Sequence, residues 1–199
     1  MRVAIPVTLG GLLLAGCSQQ SAHHDGAASP VAAPSMAMTS AAGAAMADPA
    51  DVMFAQMMIP HHEQAVVIAE LAQTRAANPE VKVLAEEITA AQAPEIEQMS
   101  GWLQAWGAPR LTADEAMDAH GGHGMAGMLA PEVLDELRGL SGPAFDQRFA
   151  AAMIEHHRGA IEMAQGVVNS PNPQVAELAT AIIQTQQAEI DRLAPIAEG

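Results

Sequence analysis

From Asp48 to the C-terminus, apolar residues recur every three to four positions, the spacing of helices that bury one face. Phe54, Met58, Ala65, Ala69 and Ala72 form one such stripe, and Phe149, Met153, Ala160, Ala164 and Val167 form another. Val81, Leu84, Ala85, Ile88, Ile96 and Met99 make a third. Caps punctuate the pattern. Asp48-Pro49, Asn78-Pro79 and Ser170-Pro171 each set a side-chain acceptor before a first-turn proline, and Ser141-Gly142-Pro143 does so one residue looser. Four long helices are expected, over 49–77, 79–106, 143–169 and 171–194. Between the second and third, a connection near 112–140 carries a capping box at Thr112-x-x-Glu115 and a helical piece over 131–138.

The two halves repeat. Phe54, Met58, Ile59, His61, His62, Ala65 and Ala69 match Phe149, Met153, Ile154, His156, His157, Ala160 and Ala164 at one fixed offset. After a one-residue slip, Asn78, Pro79, Val81, Leu84, Ile88, Gln92, Glu95 and Ile96 match Asn172, Pro173, Val175, Leu178, Ile182, Gln186, Glu189 and Ile190. Each half is thus a helical hairpin, and neither can bury its apolar face alone. Two hairpins packed together make an all-α four-helix bundle, one domain over 48–199.

Polar residues interrupt the stripes at matching heights. His61 and His62 flank the first stripe, and His156 and His157 flank its copy. Gln92 and Glu95 fall inside the second stripe, and Gln186 and Glu189 inside the fourth helix. At ~1.5 Å rise per residue, the distances through each hairpin turn bring these groups to about one level. A buried carboxylate or amide without partners costs on the order of several kcal/mol, so something must satisfy them. Two readings are open: a hydrogen-bond network that holds the bundle in register, or a metal site of inward-facing imidazoles and carboxylates.

Methionine favours metal. Met57 and Met58 precede His61 and His62 by four residues, as Met153 precedes His157, so each pair shares a helix face. The connection adds Met117, His120, His123, Met125 and Met128 among glycines, where an exposed methionine would have no core to fill. Imidazole and thioether without thiolate suit Cu(I), with silver as its mimic, and leave another divalent metal as the alternative. Glycines at 121, 122, 124 and 127 predict an exposed, mobile connection that binds weakly beside a preorganised bundle site. Two prolines, Pro60 and Pro94, stand in the first hairpin where the second has Glu155 and Ala188, so the two halves of the layer are expected to differ.

The front of the chain reads as an address. One arginine precedes an apolar run too short to span a membrane, which ends in Leu14-Ala15-Gly16-Cys17. This resembles a lipoprotein signal peptide over 1–17, with Cys17 the acylated residue that anchors the chain to a membrane. Residues 18–47, rich in Ala, Ser, Gly and Pro, read as a flexible tether. Cys17 is the chain's one cysteine, so no thiol is left for disulfides or thiolate chemistry. A net charge of −15 argues against nucleic acid as a partner.

The helix Met153-Ile154-Glu155-His156-His157-Arg158-Gly159-Ala160-Ile161-Glu162-Met163-Ala164, with Gln92-Ala93-Pro94-Glu95-Ile96-Glu97-Gln98-Met99-Ser100-Gly101-Trp102-Leu103, resembles the family known as domain of unknown function number 305. That resemblance implies a ferritin-like bundle, an exported and often lipid-anchored protein, and for some members copper binding and resistance. It also draws Met163 into the candidate ligand set. The expectation is an envelope copper binder, on the outer membrane facing the periplasm, that sequesters Cu(I) or passes it to a partner protein without catalysis. Two other classes are weighed against it. A di-metal oxidase would need a His three residues after each buried Glu, and this chain has Gln98 and Arg192 there. A purely structural envelope bundle would use the polar layer only for register.

Overall fold

In a computed structural model of the protein, which describes residues 47–120 and 125–199, every regular element is a helix. Cys17, the signal and most of the tether, and His123 lie outside the described residues. The helices are α1 (Pro49–Arg75), α2 (Pro79–Trp106), α3 (Ala113–Ala119), α4 (Pro131–Gly139), α5 (Pro143–Gln165) and α6 (Pro173–Glu198). α1 packs on α2 and α5 on α6, giving the two expected hairpins, which meet chiefly through α1 and α5. The short helix α3 lies against α1, and α4 against both α1 and α5. This is the four-helix bundle that the repeat predicts.

Local chemistry sets the helix ends. Asp48 and Asn78 accept from backbone N–H groups two residues on, as first-turn caps should. Thr112 and Glu115 form the full capping box. Gly107, at φ 68°, ends α2 in the left-handed conformation. α1 and α2 run unbroken through Pro60 and Pro94.

The start of α6 corrects the sequence reading. Its cap is Asn172, which accepts from the Gln174 N–H at 3.1 Å, and not Ser170. Ser170 is otherwise engaged: its hydroxyl donates to Asp51 Oδ2 at 2.8 Å and accepts from the Asn172 N–H. α5 accordingly ends at Gln165 rather than 169, and residues 166–170 form turns closed by short-range backbone bonds.

The core is split. One apolar cluster centres on Ile68, Leu84, Ile88, Phe145, Phe149 and Leu193. The other centres on Phe54, Ile59, Met99, Leu103, Leu178 and Ile182. Along every long helix the boundary between them falls at the polar residues: His61–His62, Gln92–Glu95, His156–His157 and Gln186–Glu189. The polar layer therefore lies across the middle of the bundle, with apolar packing on both sides.

Candidate metal centre

All four histidines of the layer are completely buried. The repeat makes their arrangement roughly two-fold. His61 of α1 and His156 of α5 stack across the seam between hairpins, with ring centroids 3.7 Å apart and a tilt of 35°. Outward from them, His62 Nε2 lies 2.7 Å from Glu95 Oε2 on α2, and His157 Nε2 lies 2.7 Å from Glu189 Oε2 on α6. The two sides are not identical. The first contact has hydrogen-bond geometry. The second is equally short but out of line, which leaves both of its atoms among the buried groups without a partner.

Contacts fix where two of the rings carry their proton. A carboxylate only accepts, so Glu95 draws the proton of His62 to Nε2, whereas Glu189, out of line, does not hold His157 in the same way. His61 Nε2 lies 3.1 Å from the carbonyl oxygen of Ala126, which also only accepts, so that ring too is protonated at Nε2. In His61 and His62 Nδ1 is then a bare lone pair. The Nδ1 atoms of His61, His62 and His157 are buried and have no hydrogen-bond partner, and His156 and His157 have none on either nitrogen. Metal-ligating histidines have this design: one nitrogen held by a carboxylate or carbonyl, the other free to bind.

Electrostatics keep the central rings neutral. Burial, reinforced by His62 and His157, lowers the pKa of His61 from 6.5 to about 3. Burial, reinforced by the other three rings, holds His156 well below 6.5. Among the described residues no carboxylate contacts either central ring, so a charged imidazolium here would have no counter-ion beside it. Neutral rings are also the form that binds metal.

The other predicted side chains separate into groups. Gln92 and Gln186 are buried in the layer, with both amide atoms of Gln92 and Oε1 of Gln186 unpartnered. Met58 and Met153 are fully buried, one in each apolar cluster, so a thioether stands on either side of the layer. Met57 and Met163 are half-buried and line a small cavity nearer the surface.

Residues 121–124, with three of the four glycines, lie outside the described residues; the parts of the connection on either side of them are not the exposed segment expected. Met125 and Leu129 are buried, and Met117, Met128 and His120 are half-buried. His120 Nε2 lies 2.9 Å from Gln56 Oε1, and Gln64 bonds Leu129 through both its amide groups. The physical reason is close approach rather than freedom. Gly127 and Gly159 meet so tightly that a Cβ on Gly159 would stand 2.0 Å from the Ala126 oxygen. The glycines let the connection press onto α5 and deliver the Ala126 carbonyl to His61.

Sequence reasoning also missed Asp51 and Asp146, which are both buried and occupy equivalent places in the repeat. Asp146 of α5 accepts from the backbone N–H groups of Ala77 and Asn78, in the turn between α1 and α2. Asp51 of α1 reaches the turn between α5 and α6 through Ser170. Each hairpin thus clasps the turn of the other. Buried acids at one repeat offset were the available signal.

Among the described residues no three His, Cys, Asp or Glu side chains converge with metal-ligand spacing. That arrangement is unlike a tetrahedral zinc site, which needs four such ligands. It leaves room for a soft monovalent ion, which is satisfied by two or three imidazole or thioether donors. Imidazole and thioether are the donor types present in and beside the layer.

The chain is similar to known proteins over most of its helical part. The family model described as Domain of unknown function (DUF305) matches residues 51–197. A DUF305 protein of Streptomyces coelicolor is 34% identical, with 74% of this chain and 91% of that chain covered at a TM-score of 0.67. A DUF305 fragment from Deinococcus radiodurans is 30% identical, covering 76% and 97% at a TM-score of 0.66. CopM, solved with Cu(I) bound, is 34% identical and covers 73% and 93% at a TM-score of 0.60. It has also been solved in Cu(II)- and silver-bound forms. Curated proteins give no match to this chain. With the doubled His-His hairpin, the bundle fold and a family match over most of its length in agreement, this chain belongs to the DUF305 family.

Proposed function

We propose that this protein binds copper outside the cytoplasm, holding Cu(I) in the histidine layer for sequestration, tolerance or delivery, with no catalysis of its own. The observation that carries the reading is the set of buried, unpartnered Nδ1 atoms on His61, His62 and His157. Leaving three polar atoms buried without partners costs on the order of 1–3 kcal/mol each, a cost that a bound ion would remove. The thioethers of Met58 and Met153 complete a soft donor set above and below. Copper- and silver-bound forms of CopM support the choice of metal. The Streptomyces relative, provisionally described as secreted, supports an extracytoplasmic place. Anchoring through an acylated Cys17, on the outer membrane facing the periplasm, extends this reading. Among the described residues no helix is long and apolar enough to cross a membrane.

The test is competition for metal. The mature protein and its His62→Gln/His157→Gln variant would be titrated with Cu(I), and separately Cu(II), against a chelator of known affinity. The parent is expected to retain at least one equivalent of Cu(I) and the variant to lose it. A parent that retains neither ion overturns the reading. The second reading, a register device, draws on the His62–Glu95 bond, which already satisfies one partner pair without metal. Equal copper retention by parent and variant would favour it.

A further inference from the structure

Three methionines meet away from the histidine layer. Met53 and Met57, one helical turn apart on α1, and Met163 on α5 line a single cavity of about 90 Å³. The rest of its wall is Phe54, Val167, Ala50 and Gly166, so sulfur is the only side-chain donor present. Met53 is 41% exposed, among the few large apolar side chains so placed in the described residues. A core-filling role does not account for it, because it fills no core.

The cavity's size and lining narrow the ligand. It is well below the roughly 300 Å³ at which pockets begin to hold organic molecules. A water would need two or more polar partners, and no polar side chain lines the wall. Thioethers are soft, uncharged donors that favour Cu(I) or Ag(I) over Cu(II) or zinc. The helix ends nearby are compatible with a cation. Gly166 is the C-cap of α5, whose last carbonyls carry partial negative charge. The opposing first turn of α1 bears Asp48 at its cap and Asp51, carboxylates that offset the positive end of that helix.

Position gives the cavity a role. Met57 precedes His61 by one turn on the same face of α1, a rise of ~6 Å. The geometry points to a three-thioether docking site at Met53, Met57 and Met163 that takes up Cu(I) at the surface and feeds it to the histidine layer. It rests on the copper reading above, and adds a second site with its own ligands.

The experiment follows methionine methyl and histidine ring signals by NMR while Ag(I), the air-stable mimic, is added to the full mature chain. Three proteins are compared: the parent, His62→Gln/His157→Gln, and Met53→Leu/Met57→Leu/Met163→Leu. Leucine keeps volume and apolarity, so the last variant should fold as the parent does. The methyl signals of Met53, Met57 and Met163 are expected to shift with silver in the parent and also in the histidine variant. The leucine variant is expected to fill its histidine layer several-fold more slowly. If the layer binds silver in the parent while those three methyls stay still, the docking site is overturned and the copper reading stands. An unchanged filling rate in the leucine variant also overturns it. A parent that takes up neither silver nor copper overturns both.

Discussion

Gly159 on α5 and Gly127 on the connection touch backbone to backbone beside His156. A Cβ built on Gly159 would stand 2.5 Å from the Gly127 Cα, and one built on Gly127 would stand 2.7 Å from the His156 carbonyl oxygen. Gly127 also sits at φ +74°, where other residues are strained. The contact holds Ala126 in place, and the Ala126 carbonyl fixes the tautomer of His61. A backbone approach outside the layer thereby sets which nitrogen of a core histidine is bare.

Gly159→Ala tests that link. The added methyl has only backbone to displace, so the connection must lift from α5. The expected loss is about 1–3 kcal/mol in denaturant unfolding, the usual range for forced overpacking. Hydrogen exchange at residues 126–129 should quicken more than in the hairpins. Unchanged protection there would mean that the glycine contact does not seat the connection.

Acid should destabilise the metal-free protein over a defined window. His61 has a folded pKa of about 3 against 6.5 unfolded, and His156 is lowered in the same direction. Between those values the unfolded chain binds protons that the folded chain refuses, so stability rises with pH. It is fully present above about 6.5 and drains away as the pH falls toward 3. Each such ring accounts for up to about 1.4 kcal/mol per pH unit within the window. Unfolding free energies measured across it should show a shallower slope for His61→Gln/His156→Gln than for the parent. An identical slope would mean that these rings are not held neutral.

Much of this was legible in the chain, and the exceptions share a cause. Periodicity and caps locate four helices because each helix end is a local event, read from residues such as Asp48-Pro49 and Asn78-Pro79. The repeat locates the polar layer because matched heights follow from helix rise. Ser170 misled because a hydroxyl before proline is a good cap in isolation, and its capture by Asp51 on another helix is a tertiary fact. The repeat had paired Asn78-Pro79 with Asn172-Pro173 and so carried the correct start of α6. Gly127 misled for a related reason: glycine permits both mobility and close contact, and only the facing Gly159 decides between them.

The crossed clasp predicts that Asp146 matters far from any metal. Its carboxylate accepts from the N–H groups of Ala77 and Asn78 at 3.1 and 2.9 Å. Asp146→Ala removes both acceptors and should cost about 1–3 kcal/mol, because two turn N–H groups lose their partner. Asp146→Asn keeps one acceptor oxygen and should recover part of the loss. Both should bind Cu(I) as the parent does. A matching fall in copper affinity would mean that the clasp and the layer are coupled through the α1–α5 seam.

The comparison that separates a metal site from a register device is thermal. A ligand that binds only the folded state stabilises it, by roughly 2.7 kcal/mol at a hundredfold excess over its dissociation constant. For a domain of this size, at roughly 2–4 °C per kcal/mol, that is a rise in melting temperature of roughly 5–10 °C. The parent should show it with Cu(I) or Ag(I). The His62→Gln/His157→Gln variant has lost two of the unpartnered Nδ1 atoms and should show a much smaller rise, from the methionine site alone. Without metal the variant should be somewhat less stable than the parent, since Glu95 and Glu189 lose the rings that lie 2.7 Å from them. That metal-free loss is common to both readings and decides nothing. The deciding quantity is the difference between the two metal-induced shifts: a large shift in the parent alone makes the layer a copper site, and equal shifts move the binding elsewhere in the chain.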